Sequence, residues 1–179
     1  MRKLFFLSVL FLLSGNLVSA EVHSLKEAKP VQIVIPAIDV AASIYPSHLN
    51  ENGVMNITDQ TEEVAWFADG VSPGEPGNAV LAGHVDGYVG PAIFYNLKKL
   101  QQGDFVSIID ENGHKLVFVV IKKETFPYQD APLQQVFGPT NKRRLNLVTC
   151  TGTWNRKIRT HMERLVVFTE FVYKIEARQ

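Results

Sequence analysis

The chain has almost no cysteine: one thiol, Cys150, in 179 residues. That excludes an internal disulfide framework and any Cys-cluster zinc site. It also lacks a charge of prevailing sign, with 18 Lys and Arg against 18 Asp and Glu. Without a basic excess there is little to hold a phosphate backbone, which argues against nucleic acid as a partner. There is no internal repeat, no low-complexity tract and no Gly-rich phosphate loop ending in Lys-Ser or Lys-Thr. Apolar residues make up 46% of the chain and charged residues 20%. This is the composition of a folded domain with a core, not of a disordered chain.

The long hydrophobic run lies at the amino terminus. Arg2 and Lys3 precede an apolar stretch from Leu4 to Leu13, and Val18-Ser19-Ala20 offers small residues for cleavage. This layout reads as a secretory signal peptide over 1–20. The alternative is an uncleaved anchor through residues 1–18. A helix from Leu4 to Val18 would reach about 22 Å, short of a hydrocarbon core of roughly 30 Å. Either reading exports the rest of the chain to the extracellular face of the cell envelope, secreted or membrane-anchored. Residues 21–30 are polar and read as a linker, leaving 31–179 as one domain.

Short strands dominate that domain. Val31, Ile33 and Ile35 alternate up to Pro36, and Val40 to Tyr45 forms a second candidate. Residues 61–67 are ambiguous between a helical turn and a strand. Further strands are expected at Ala79–His84, Phe105–Ile109, Leu116–Ile121, Leu145–Cys150 and Leu165–Tyr173. Asn112-Gly113 marks a hairpin turn. Ile93, Phe94, Leu97 and Leu100 suggest a short helix over 92–100, and 130–137 a second helix or turn. The expected fold is mainly β, a closed or sandwiched structure with one or two short helices.

In an exported chain a lone cysteine is an inert small hydrophobe, an intermolecular partner or a reactive thiol. Cys150 ends an apolar run and precedes polar residues, a position from which a scaffold presents a side chain at a cleft. A free thiol has a pKa near 8.5, so a nucleophilic Cys needs a base or a cation beside it. His84 closes the run Ala79-Val80-Leu81-Ala82-Gly83 and opens a Gly-rich loop. Asp86 behind it is placed to orient the ring or simply to form the turn. His161 is the second candidate base. His23, His48 and His114 lie in the linker or beside turns and read as solvated. Among the arginines, Arg164 opens the strand Leu165-Val166-Val167-Phe168. If that strand pairs with 145–150, Arg164 falls beside Cys150, with 151–163 as the connecting loop.

Three segments together resemble the sortase family: Leu81-Ala82-Gly83-His84-Val85-Asp86; Phe94-x-x-Leu97-x-x-Leu100-x-x-Gly103-Asp104; and Leu147-Val148-Thr149-Cys150 followed by Arg164-Leu165-Val166-Val167. Ile35-Pro36-Ala37-Ile38 is similar to the family's first strand. The spacing and the Gly-His-Val-Asp segment look most like class F, with D or E as alternatives. The resemblance implies an eight-stranded sortase-type β-barrel. It implies a cysteine transpeptidase that cuts an LPxTG-type sorting signal between Thr and Gly and joins the acyl group to an amine of a peptidoglycan precursor or a pilin. Cys150 would be the nucleophile, His84 the acid and base, and Arg164 the substrate-holding cation. Thr149 and Ala82 would contact substrate, and no metal or cofactor is needed. Asn146 stands where the family pattern has Thr, which implies an altered pocket floor. Other classes remain open from the residues alone: a non-catalytic β-barrel binding module, or a cysteine peptidase that releases its acyl group to water.

Overall fold

The computed structural model describes residues 28–177. The expected signal peptide or anchor over 1–20, most of the linker and the last two residues lie outside them. Eight strands close a barrel: β1 (Pro30–Ile35), β2 (Val40–Ser47), β3 (Val64–Phe67), β4 (Gly77–Ala82), β7 (Phe105–Asp110), β8 (Lys115–Pro127), β9 (Arg143–Asn155) and β10 (Thr160–Ile175). Around the barrel the order is β1-β2-β3-β4-β9-β10-β8-β7. The pairs β2/β3 and β4/β9 are parallel and the others antiparallel. A two-stranded hairpin, β5 (Asp86–Gly87) and β6 (Gly90–Pro91), sits outside the barrel. The mainly β, eight-stranded expectation is met.

Strand alternation sorts the side chains into two layers. Ile33, Ile35, Leu81, Leu145, Leu147, Leu165 and Val167 point inward into one large buried cluster. The intervening positions Val80, Val148, Val166 and Phe168 point outward and pack with Val136 of α1 (Leu133–Phe137) in a smaller cluster. The outer face is therefore also apolar along β4, β9 and β10. That explains why β4 is buried at every position.

Three expectations change. The segment 92–100 is not an α-helix but a series of turns ending in a 3₁₀ helix, Leu97–Lys99. Its bonds run three residues back: Tyr95 N donates to Ala92 O, Leu97 N to Phe94 O and Leu100 N to Leu97 O. Phe94, Leu97 and Leu100 recur every third residue. That spacing keeps one face only at three residues per turn, and all three side chains are fully buried in the inner cluster. The ambiguous stretch 61–67 resolves into a turn at Thr61-Glu62 followed by β3 from Val64. The 151–163 loop is mostly ladder: β9 runs to Asn155 and β10 starts at Thr160. Only 156–159 turns, with Asn155 Oδ1 accepting from the backbone N–H groups of Lys157 and Ile158. The polar side chains there had read as loop, but they belong to a hairpin extending past the barrel core, where neither face needs to be apolar.

Candidate active site

The outer row of β9, Asn146-Val148-Cys150, lies against the outer row of β10, Phe168-Val166-Arg164. The register pairs are Asn146 with Phe168, Val148 with Val166, and Cys150 with Arg164. Directly opposed residues share a face, so two valines form a floor and the thiol and the guanidinium stem rise side by side at its end. On the other flank β4 runs parallel to β9, with Ala82 opposite Val148. Gly83 N extends that ladder to Val148 O, and the chain then delivers His84.

Gly83 is required by space. A Cβ there would meet Phe94 Cδ2 at 2.7 Å and Ile93 Cγ2 at 3.0 Å. Phe94 is fully buried and cannot give way, and its N–H donates to His84 O. Gly83→Ala is expected to destabilise the domain by about 1–3 kcal/mol through overpacking. A fall in the denaturant midpoint, together with loss of activity in the fraction still folded, would check this.

His84 Nε2 lies 2.8 Å from Thr58 O. A carbonyl only accepts, so Nε2 carries the proton and Nδ1 keeps its lone pair in the neutral ring. Thr58 is itself held by Tyr45, whose phenolic oxygen accepts from Thr58 N at 3.0 Å. The orienting partner of His84 is thus a backbone carbonyl 26 residues away in sequence. Asp86 does not orient that ring: its Oδ1 lies 3.1 Å from Nε2 of His161.

Beyond Cys150 the ladder carries a bulge. Trp154 pairs with His161 and Thr151 with Glu163, so Gly152 and Thr153 together oppose Met162. Gly152 takes φ +77°, the left-handed conformation that such bulges assign to glycine. Past the bulge Trp154 and His161 meet edge to face, with ring centroids 5.1 Å apart.

His84, Cys150, Trp154 and His161 line one cavity of about 600 Å³, together with Asp59, Thr61, Asp86, Tyr88 and Arg159. That volume suits a short peptide segment. Arg164, in register opposite Cys150, does not itself line the cavity and directs its guanidinium along its own strand. Nη1 donates to His161 O and Glu163 O, both at 2.9 Å, and Nη2 donates to Thr160 Oγ1 at 3.1 Å. The Tyr128 ring lies 5.7 Å beneath the guanidinium carbon. Among the described residues, Nε and one proton of Nη2 have no hydrogen-bond partner.

The two expected substrate contacts are placed differently. Thr149 points inward, is buried, and donates its hydroxyl to Gly83 O at 2.8 Å. It ties the Cys150 strand to the His84 turn rather than lining the cavity. Ala82 lies on the outer face but is buried beneath that turn. Asn146 is not at the cavity floor. It is fully buried four residues along, where Nδ2 donates to Val136 O at 2.7 Å and holds α1 to the barrel.

Burial pushes the Cys150 thiol above its ordinary value, Arg164 opposes this, and Asp86 adds to it. The resting thiol is therefore protonated near neutral pH. Its alkylation rate is expected to keep rising with pH beyond about 8.5, where a free thiol levels off. In Arg164→Gln the rise should move to still higher pH, because the opposing cation is gone. Iodoacetamide kinetics across pH test both statements.

The closed β-barrel thus carries one thiol, the His84 imidazole and the Arg164 guanidinium toward one end of its outer face. The sortase domain model matches residues 33–172, so the chain belongs to the sortase family of cysteine transpeptidases. Solved structures agree on the fold. Sortase A of Listeria monocytogenes is 20% identical with a TM-score of 0.63, over 86% of this chain and 93% of that one. Sortase C-1 of Actinomyces oris is 25% identical with a TM-score of 0.64, over 81% and 76%. Sortase A of Corynebacterium diphtheriae is 22% identical with a TM-score of 0.63, over 86% and 65%. No curated protein matches the chain in sequence.

Proposed function

We propose that the chain is a transpeptidase that cleaves an LPxTG-type sorting signal between Thr and Gly and passes the acyl group to an amine. The observation that carries this reading is the shared cavity of Cys150 and His84, with Arg164 in register opposite the thiol. The thiol loses its proton to His84 as Sγ attacks the Thr carbonyl. His84 returns that proton to the departing Gly nitrogen as the peptide bond breaks. A thioester remains on Cys150, and an amine of a peptidoglycan precursor or a pilin attacks it and releases the thiol. Arg164 holds substrate oxygens through Nε and Nη2 and stabilises the oxyanion. His84 suits the base role better than His161. Its Nδ1 keeps a lone pair, whereas both nitrogens of His161 face acceptors.

The same reading puts the enzyme at the extracellular face of the cell envelope, secreted or held by residues 1–18. Incubation with an LPxTG peptide, with and without an added amine, tests the reaction. Ligated product is expected with the amine present. Release to water alone would make the chain a peptidase, and no turnover would favour a binding module. Arg164→Lys is expected to lose about 10²-fold or more in kcat/KM, because an ammonium does not reproduce the guanidinium fork over Thr160 and the substrate. Steady-state kinetics on the same peptide measure it.

A further inference from the structure

The cavity holds a second imidazole whose contacts are not those of a base. His161 Nδ1 lies 3.1 Å from Gly152 O, and Nε2 lies 3.1 Å from Asp86 Oδ1. Both partners are acceptors, so both bonds exist together only when each ring nitrogen carries a proton. The side chain is 11% exposed and its ring rests edge to face on Trp154. Its two partners sit on different walls. Gly152 is in the β9 bulge, two residues after Cys150, and Asp86 is in β5, two residues after His84.

We propose that His161, as an imidazolium, is a positioning residue that clasps the Cys150 and His84 segments together and neutralises Asp86, shielding the nucleophile from that carboxylate. The proposal rests on Cys150 being the nucleophile. Asp86 pushes the Cys150 thiol up, and an Asp86 without its partner would push harder. The charged and titratable groups around the ring are few. Asp86 faces it from β5. The Glu163 carboxylate packs over Gly152, where a Cβ would meet Oε2 at 2.5 Å. Arg159, Asp59, His84 and Cys150 line the same cavity. The Arg164 guanidinium is drawn to the His161 backbone oxygen, not to the ring. The clasp also holds down the base of the β5–β6 hairpin, whose tip, Tyr88 and Val89, is fully exposed at the cavity rim.

Alkylation of Cys150 by iodoacetamide at neutral pH, without substrate, tests the clasp. His161→Phe keeps a ring against Trp154 and removes both donors, and is expected to slow alkylation about threefold or more. Asp86→Asn in that background should restore the rate, since the uncompensated charge is gone. Asp86→Asn alone should alkylate faster than the unmodified protein. His161→Gln, closer in polarity, should follow the same order and guards against a packing defect in the Phe variant. An unchanged rate in both His161 variants, or a slow rate that Asp86→Asn fails to restore, overturns the proposal. Because no peptide is involved, a wrong sorting-signal assignment leaves this readout untouched. A thiol inert to iodoacetamide in the unmodified protein would overturn both the clasp and the nucleophile.

Discussion

Cys150→Ala is expected to reduce ligation of an LPxTG peptide to the uncatalysed background. No second thiol exists in the chain to take over. The proposed thioester needs a covalent nucleophile, and the methyl group of alanine has no lone pair with which to attack. The fold should survive. Cys150 is only partly buried, and its Sγ lies on the outer face, outside the inner cluster that holds the barrel. The measurement is product formation by mass spectrometry, beside an unfolding transition that should stay within about 1 kcal/mol of the parent. Full turnover by the folded variant would remove Cys150 from the mechanism.

His84→Ala is expected to lower kcat by roughly 10²- to 10⁴-fold, the usual contribution of a positioned acid and base. The proposed leaving amine departs poorly without a proton, so acyl-enzyme formation should be the step that fails. KM should change less than kcat, because the rest of the cavity is unaltered. Tyr45→Phe offers a graded companion: it removes the acceptor that fixes Thr58, and through it the carbonyl that fixes the His84 ring. Retained activity in His84→Ala with loss in His161→Ala would reassign the base to His161.

Much of this site is legible in the residues. The apolar runs ending at Gly83-His84 and at Cys150, and the strand opening at Arg164, are local patterns. Pairing the last two strands brings Arg164 to Cys150, as the register bears out. What could not be read are contacts between distant segments. The Thr58 carbonyl leaves no trace in composition, because every residue has one. The pairing of Asp86 with His161 spans 75 residues. Thr149 looked like a substrate contact because it adjoins the cysteine, but strand alternation turns it inward to Gly83. Phe94, Leu97 and Leu100 looked helical, yet their spacing of three fits a tighter turn.

The lone thiol of Cys150 therefore follows from the sequence alone, and so do the β-rich alternation and the order of the His, Cys and Arg segments. Alternation has a period of two and is silent about which of its two faces meets the core. Only closure of the barrel decides that: it buries Leu145, Leu147 and Thr149 and leaves Cys150 outside. Once that face is chosen, the bulge at Gly152 and the parallel pairing of β4 with β9 determine which imidazole keeps a lone pair and which becomes a clasp.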